Sequence, residues 1–336
     1  MRALVTGGGG FVGSAITRAL LERGDAVRVM ARGDYPALRA IGAETVRADL
    51  RDRTSTMAAF AGVDAVFHVA ARVGFHGPAK EYEETNVGGT DNVLAACKAH
   101  GIERLVFTST PSVVHSRDGS AGVDESTPYP TKWVADYPRT KALAEANVLA
   151  QRDTPAVAIR PRGVWGPGDT QLMPKLVRWA RAGQLKRIGT DDPRQSFAYI
   201  DNVVHAHLLA EKQLRENRKL VAGRAYFITD GVPVGSWTMA DLVLQAAGLR
   251  LPDKVVPKGV ANVASHVIEF LWNLFGIDSE PRLTRYKFDV LTKPCWFDTS
   301  AAQRELGYEP PVTRDEGLAA LKRWVDEGGL EPLLAD

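Results

Sequence analysis

Short apolar runs alternate with amphipathic helical segments along the first two-thirds of the chain. Ala3–Thr6 predicts a buried strand, and the spacing of Ile16, Ala19 and Leu20 predicts a helix over Ser14–Arg23. Further strands are predicted at Ala26–Met30, Ala65–Val69, Leu105–Thr108 and Ala156–Arg160, and further helices near Glu83–His100 and Tyr137–Gln151. This alternation favours an α/β fold, with a doubly wound parallel sheet covered by helices on both faces.

The pattern changes after Pro161, where proline and glycine become dense and the later segments are mostly helical patches and turns. Short strand-like pieces remain at Ser196–Ile200 and Ala225–Ile228. We therefore predict two interleaved domains. The sheet domain takes residues 1–164 and 196–230, and a smaller, mostly helical domain takes residues 165–195 and 231–336.

Composition narrows the class of protein. The 336 residues are 45% apolar and 24% charged, which is usual for a globular chain. The formal charge of +2 leaves no general field that would hold nucleic acid, so none is expected as a partner. Two cysteines favour a reducing compartment, and the cytoplasm is the simplest choice. Met1 and Arg2 lead directly into the first strand, so no signal peptide is expected.

A glycine-rich turn follows the first predicted strand and opens the first helix. Gly7, Gly10 and Gly13 have the spacing G-x-x-G-x-x-G. In this context a Rossmann-type fold binds the pyrophosphate of a dinucleotide, because the helix N-terminus presents free N–H groups. A merely flexible turn is the alternative, and the match of strand, helix and position favours dinucleotide binding.

The end of the second strand indicates which dinucleotide is bound. No acidic residue stands there, and Arg32 can pair with a 2′-phosphate, which favours NADPH/NADP+ over NAD. Asp49 follows the third strand, where the adenine ring is expected, and is a further predicted cofactor contact. Asp34 could still serve NAD, Arg32 could be a solvated turn residue, and Asp49 could be an ordinary helix cap. The other predicted cofactor contacts are Phe11, Val12, Leu50, Ala70, Ala71, Lys141, Pro161, Gly163 and Val164.

A candidate catalytic pair opens a later helix. Tyr137 and Lys141 are four residues apart, so the phenol and the ammonium group share one helical face. Reducing a ketone requires a proton on oxygen, and a nearby cation shifts a tyrosine pKa towards useful values. Thr110 is the predicted binder of the substrate oxygen, with Ser109 or Ser112 as substitutes. The alternative is that Tyr137 and Lys141 are an unrelated pair on the surface. No metal site is expected.

Two further polar residues and four cations need an interpretation. His68 is expected to be packed rather than to act as a base, and Asn86 either stabilises the helix of the catalytic pair, holds a water molecule or is structural. Candidates for binding a substrate carboxylate are Arg194, His115, Arg139 and Lys132, and the sequence does not decide among them.

A late segment, residues 259–276, carries a wide apolar stripe. Polar interruptions at Asn262, His266 and Glu269 argue against a transmembrane span. We consider two interpretations: a lid or wall for alkyl chains that could also touch a membrane or a partner, and a helix that faces the core. The stripe consists of Val260, Val263, Ala264, Val267, Ile268, Leu271, Trp272 and Phe275.

Together these motifs resemble the extended short-chain dehydrogenase/reductase superfamily, and most of all its 3β-hydroxysteroid dehydrogenase branch. The similarity covers nearly the whole chain, including Pro281–Arg285 and Trp296–Asp298. Within that branch, residues 32–36 and 108–113 resemble the 2-alkyl-3-oxoalkanoate reductases of bacterial long-chain olefin biosynthesis. This resemblance implies Tyr137 as proton donor, Lys141 as its cofactor-bound partner and Thr110, in place of serine, as oxygen binder.

The resemblance implies a function. It is NADPH-dependent reduction of the 3-keto group of a 2-alkyl-3-oxoalkanoic acid, a hydrophobic small molecule. A homodimer through the helices near Glu83–His100 and Tyr137–Gln151 is also implied, and other enzymes of the same lipid pathway are possible partners. Two alternatives are an NAD(P)-dependent 3β-hydroxysteroid or sterol dehydrogenase and a non-catalytic NADPH-binding sensor or scaffold. A sugar-nucleotide epimerase fits the apolar late segment less well.

Overall fold

A parallel sheet of seven strands forms the centre of the molecule, as a computed structural model of the chain shows. The structure describes residues 1–74, 76–277 and 279–334. The strands, in chain order, are β1 (Arg2–Thr6), β2 (Ala26–Ala31), β3 (Glu44–Arg47), β4 (Ala65–His68), β5 (Leu105–Thr108), β6 (Ser120–Val123), β7 (Ala156–Pro161), β8 (Val164–Trp165), β9 (Arg187–Ile188), β10 (Arg194–Gln195), β11 (Ala198–Tyr199), β12 (Arg224–Ile228), β13 (Val234–Gly235), β14 (Val255–Val256) and β15 (Cys295–Phe297).

Helices connect and cover these strands. They are α1 (Phe11–Glu22), α2 (Pro36–Ala40), α3 (Arg53–Ala59), α4 (Ala79–Tyr82), α5 (Gly89–Ala99), α6 (Asp136–Leu149), α7 (Leu172–Arg181), α8 (Ile200–Glu216), α9 (Arg218–Val221), α10 (Ser236–Ala246), α11 (Lys258–Phe275), α12 (Arg285–Thr292), α13 (Arg314–Asp326) and α14 (Glu331–Leu334). Single wider turns of π-helix occupy Glu83–Gly88 and Ala302–Leu306, and a 3₁₀ turn occupies Pro111–Val114.

The strand order of the main sheet is β12-β7-β5-β4-β1-β2-β3, and every neighbouring pair is parallel. The chain therefore runs outward in one direction from β1 and in the other from β4. A crevice forms at the carboxyl ends of the two strands where this order reverses, and such crevices bind ligands. The predicted α/β fold with a Rossmann-type sheet is confirmed.

Apolar residues of the sheet pack on both faces. Leu4 and Val5 are both fully buried and belong to opposite cores. The core containing Val5 is shared with α1 and α8, and the core containing Leu4 is shared with α3, α5 and α6. Burial on both faces explains why these strands are continuous apolar runs rather than alternating ones.

Several element boundaries differ from the sequence prediction. The first helix begins at Phe11 rather than Ser14, because the glycine turn is short. The segment predicted as one helix near Glu83–His100 divides into the π-helical turn and α5. The strand predicted at Ser196–Ile200 is only β11, since α8 begins at Ile200.

Smaller sheets are formed mostly by strands of the later half of the chain. β13, β10, β15 and β6 form one sheet, and β11–β8 and β14–β9 form two-stranded ones. β6 belongs to the first predicted domain but pairs with β15, so strands from both predicted domains meet in one sheet. The division of the chain into two interleaved domains stays a prediction. No helix in the described ranges combines the length and hydropathy needed to cross a membrane.

Candidate functional site

A large cavity opens at the carboxyl edge of the sheet. Its volume is about 1650 Å³, which exceeds the range of roughly 300–1,000 Å³ usual for one small ligand. The cavity can therefore hold a dinucleotide and a substrate together. Every predicted cofactor-binding and catalytic residue lines it, namely Gly7, Gly10, Phe11, Val12, Gly13, Arg32, Asp49, Leu50, Ala70, Ala71, Thr110, Tyr137, Lys141, Pro161, Gly163 and Val164.

The glycine turn forms one end of this cavity. Gly7 has a φ of +68°, a conformation that residues with a Cβ atom rarely adopt. A Cβ on Gly13 would lie 2.3 Å from the Gly7 carbonyl oxygen, so only glycine permits the close contact of α1 with the turn. Gly10 caps α1 without a side-chain hydrogen bond, and no acidic residue occupies the first turn of the helix. These free N–H groups fit a pyrophosphate.

The next part of the cavity carries two arginines and one paired carboxylate. Arg32 is exposed and lines the cavity. Asp49 forms an ion pair of 2.7 Å with Arg51, a residue that sequence reasoning did not single out. The Arg51 hydrogen bonds hold the pKa of Asp49 below its usual value, and the charge of Arg32 acts in the same direction. This end is thus net positive, which fits a 2′-phosphate.

Asp34 lies outside the lining of the cavity. Its carboxylate forms an ion pair with the exposed Arg39. The alternative in which Asp34 binds the ribose of NAD therefore has no support from the geometry.

Helix α6 brings Tyr137 and Lys141 to the cavity. One turn further along the same face, Glu145 forms a buried two-pronged ion pair with Arg160 of β7, with N–O distances of 2.9 and 2.5 Å. Such a pair fixes the position of both partners because its geometry is planar and specific. The ion pair thereby anchors α6, and with it Tyr137 and Lys141, to the sheet.

Lys141 is almost completely buried. Its Nζ donates a hydrogen bond of 2.8 Å to the Thr108 carbonyl oxygen and lies 3.9 Å from the centre of the Phe107 ring. Burial lowers its pKa to about 7, and the Glu145 carboxylate only partly opposes this shift. Without a cofactor, the lysine is therefore only partly charged at neutral pH.

The pKa of Tyr137 shifts upward, and the lowering expected from a nearby cation together with the charge of an oxidised nicotinamide ring stays a prediction. Tyr137 is partly exposed to the cavity, and burial by the surrounding protein raises the phenol pKa, while a hydrogen bond with Thr110 lowers it. The phenol is therefore protonated at neutral pH, which is the form that can donate a proton.

A chain of hydroxyl groups adjoins Tyr137. Thr110 Oγ1 and Ser112 Oγ are 3.2 Å apart, and Ser112 Oγ lies 2.6 Å from the hydroxyl of Tyr286. The Ser109 hydroxyl is buried and has no hydrogen-bond partner among the described residues. Thr110 and its predicted substitutes thus all lie at the cavity, and Thr110 and Ser112 are linked to each other.

His68 and Asn86 support the site from behind. The two ring nitrogens of His68 lie 2.8 Å from Thr6 Oγ1 and 3.0 Å from Thr90 Oγ1, and burial lowers its pKa to about 3. His68 is therefore a packed, neutral residue. Asn86 donates hydrogen bonds to Thr140 Oγ1 and the Arg72 carbonyl oxygen, which ties α6 to the loop after β4.

None of the four predicted carboxylate binders lines the cavity. Arg139 forms ion pairs with Glu83 and Asp136, and Arg194 and Lys132 are exposed. His115 lies at a small adjoining recess, where burial lowers its pKa to about 4. At neutral pH it carries no charge with which to bind a carboxylate.

Besides Arg51, sequence reasoning missed two residues of the site. Tyr286 of α12 lies far along the chain and belongs to no recognised motif, so only the fold brings it to Ser112. Arg162 follows the strand that ends at Pro161 and lines the cavity. Its position beside the predicted cofactor contacts Pro161 and Gly163 was the available signal.

Some apolar residues of helix α11 line the cavity and others lie on the surface. Ala261 and Ala264 line the cavity. Val263, Val267 and Phe275 are exposed, with 64%, 49% and 69% of their surface accessible. The interpretation of the whole stripe as core-facing is therefore wrong, since a helix at the cavity rim buries only its inner side. The inner face supports the wall interpretation.

The fold and the site define an extended short-chain dehydrogenase/reductase, an NAD(P)-dependent oxidoreductase. Residues 4–258 match the 3-beta hydroxysteroid dehydrogenase/isomerase family. The chain belongs to this family, so the resemblance inferred from its motifs is confirmed.

Named relatives agree with this assignment. The chain is 44% identical to the 2-alkyl-3-oxoalkanoate reductase of Stenotrophomonas maltophilia over 96% of this chain and 98% of that protein. It is 38% identical to the Shewanella oneidensis protein of the same name over 95% and 85%. The dTDP-glucose 4,6-dehydratase DesIV of Streptomyces venezuelae, a double mutant solved with NAD bound, is 25% identical with a TM-score of 0.76 and covers 99% and 100% of the two chains.

The buried lysine predicts how stability depends on pH. Its pKa is about 7 in the folded protein and about 10.5 in an unfolded chain, so the folded state binds fewer protons between these values. The free energy of unfolding should therefore rise as the pH increases through this window. In Lys141→Met, urea unfolding without cofactor should show a shallower rise than in the wild type.

The exposed Lys132 provides a matched control, and Lys132→Met should retain the wild-type slope. Equal slopes for Lys141→Met and the wild type would contradict the assignment of a depressed pKa to Lys141.

Proposed function

We propose that this protein reduces the 3-keto group of a 2-alkyl-3-oxoalkanoic acid to the 3-hydroxy acid with NADPH. The observation that carries this proposal is the meeting of Tyr137, Lys141 and the Thr110 hydroxyl at one cavity that has a phosphate-binding turn at its other end. The names of the two similar reductases support the choice of substrate.

The side chains at the cavity have distinct roles in this reaction. Bound NADPH supplies a hydride. Thr110, with Ser112 beside it, orients the ketone oxygen, and the protonated Tyr137 donates a proton to that oxygen. Lys141, held by the Thr108 carbonyl, fixes the cofactor beside Tyr137.

The wall around the substrate space suits alkyl chains. It is formed largely by apolar side chains of α7, α10, α11 and α12, which can accept hydrocarbon without leaving polar groups unpaired. These side chains include Leu172, Met173, Leu176, Trp179, Met239, Val243, Ala261, Ala264 and Leu291.

The cofactor preference rests on the charges near Arg32. Arg32 and Arg51 outweigh the single carboxylate of Asp49, so NADPH is favoured over NADH.

The proposal extends to the cell. The two cysteines favour action in the cytoplasm. The resemblance to the reductases supports a role in bacterial long-chain olefin biosynthesis and a homodimer formed through the helices near Glu83–His100 and Tyr137–Gln151. Contacts with other enzymes of that lipid pathway are part of the same proposal.

One alternative activity has support. The family name favours an NAD(P)-dependent oxidation of 3β-hydroxysteroids, but the charges near Arg32 argue against NAD as its cofactor. A non-catalytic sensor or scaffold is disfavoured because Tyr137 and Lys141 are both present and both line the cavity.

Turnover with two substrate pairs tests the proposed function. The purified protein should oxidise NADPH with a 2-alkyl-3-oxoalkanoate and should not reduce NAD with a 3β-hydroxysteroid. Tyr137→Phe should lower kcat by about 10²–10⁴-fold because it removes the proton donor. NADPH binding, measured by fluorescence titration, should change little.

Turnover with the steroid alone would contradict the assignment of the substrate. No turnover in either assay, with NADPH binding intact, would favour the sensor or scaffold.

Arg32 should set the cofactor preference. A charge-assisted hydrogen bond is worth about 1.5–3 kcal/mol, so Arg32→Ala should raise KM for NADPH roughly ten- to a hundred-fold. KM for NADH should change much less. Arg39→Ala, which removes an exposed arginine paired with Asp34 away from the cavity, is the control and should leave both constants unchanged. The preference is not explained by Arg32 if its variant behaves like the control.

The inner face of α11 should limit substrate length. Ala264→Trp adds an indole to the cavity wall, so kcat/KM should fall for long-chain substrates and remain near wild type for short ones. Val263→Trp is the matched control, because Val263 is the adjacent residue and faces solvent. Equal losses for long and short substrates would argue that α11 does not form the wall of the alkyl-chain space.

A further inference from the structure

A 2-alkyl-3-oxoalkanoate places strict demands on its binding site. Its carboxylate and its keto group are separated by a single carbon atom. When the keto oxygen lies at Tyr137 and Thr110, the carboxylate must lie immediately beside those hydroxyls. A cation that binds it must therefore adjoin the same hydroxyl chain.

Most cations of the cavity are committed elsewhere. Lys141 is bound to the Thr108 carbonyl, and Arg32 and Arg51 lie at the opposite end beside Asp49. Lys175 and Lys287 share the Glu280 carboxylate, at 3.2 and 3.1 Å. Arg72 forms an ion pair with Glu81. Among the described residues of the cavity wall, the remaining cations without an ion pair are Arg162, Lys186 and Arg282.

Arg162 has the position that the others lack. It lines both the main cavity and the adjoining recess, where Ser112 and Tyr286 also lie. Its positive charge opposes the burial-driven rise in the pKa of Tyr286, whose hydroxyl lies 2.6 Å from Ser112 Oγ. Arg162 thus adjoins the chain of hydroxyls that ends at Thr110. Lys186 and Arg282, by contrast, are exposed residues of the cavity wall, and nothing links them to these hydroxyls among the described contacts.

The Arg162 guanidinium is held in place but is not neutralised. Its Nη2 donates a hydrogen bond of 2.9 Å to Gln195 Oε1, and the Gln195 amide in turn donates to the carbonyl oxygens of Val290 and Lys293. Its Nε is buried and makes no hydrogen bond within the described residues. A partly buried guanidinium that is paired with a neutral amide keeps its full charge, and a carboxylate bound in the cavity would compensate that charge.

We propose that Arg162 binds the carboxylate of the substrate and so selects 3-oxo acids over neutral ketones. This inference rests on the proposed function, because it assigns the acid group of that same substrate. Gln195 is a positioning residue, since it orients the guanidinium through Nη2. Fixed donors of this kind recognise a carboxylate in a planar, two-pronged geometry.

The test compares an acid with its neutral ester. The stable 2-alkyl-3-hydroxyalkanoate and its methyl ester are each oxidised with NADP+, by the wild type and by Arg162→Gln. We expect kcat/KM of the variant to fall about ten- to a hundred-fold for the acid, as befits the loss of a charge-assisted hydrogen bond, and to change little for the ester. Arg162→Lys should recover part of the loss because it restores the charge without the fork.

The control is Arg194→Gln, which removes an exposed arginine outside the cavity and should match the wild type with both substrates. Equal losses for acid and ester, or no loss for either, would overturn the role of Arg162 while leaving the proposed function intact. If the wild type oxidises neither substrate, the proposed function fails and the assignment of Arg162 fails with it. Thermal unfolding of each variant shows whether the fold is retained.

Discussion

The buried ion pair between Glu145 and Arg160 holds the site together. It joins α6 to β7. The face of α6 that carries Glu145 also carries Tyr137 and Lys141. Breaking such a pair by removing one partner leaves a buried charge without compensation, which costs about 3–5 kcal/mol. The position of Tyr137 relative to β5 and the Thr110 turn therefore depends on a contact outside the cavity.

The two ends of the cavity differ in the polarity of the groups that line them. Free N–H groups and arginines line the end near β1 and β2, which suits phosphates, whereas apolar side chains from the later helices line the other end. The hydroxyl chain of Thr110, Ser112 and Tyr286 links the turn after β5 to α12, one of these later helices. One cavity therefore holds groups suited to the cofactor, to the ketone and to the alkyl chains of the proposed reaction.

Local patterns were enough to predict the main sheet, the glycine turn and the shared helical face of Tyr137 and Lys141. The Gly7 turn and the spacing of Tyr137 and Lys141 are signals within a few residues, and the structure brings them to the same cavity. Tyr286 and Arg162 could not be assigned roles, because their roles depend on contacts between distant segments. The surface position of Val263 and Phe275 also escaped prediction, since an amphipathic pattern does not tell which side of a helix meets solvent. The upward pKa shift of Tyr137 follows from burial, which a sequence does not display.

The most direct test is a crystal structure of the protein with NADPH and a 2-alkyl-3-hydroxyalkanoate, a pair that cannot react because both members are reduced. The account predicts the 3-hydroxyl group within hydrogen-bond distance of Tyr137 and Thr110, and the 2′-phosphate of the cofactor at Arg32. A hydroxyl group bound away from Tyr137, or a cofactor that leaves the glycine turn empty, would contradict it.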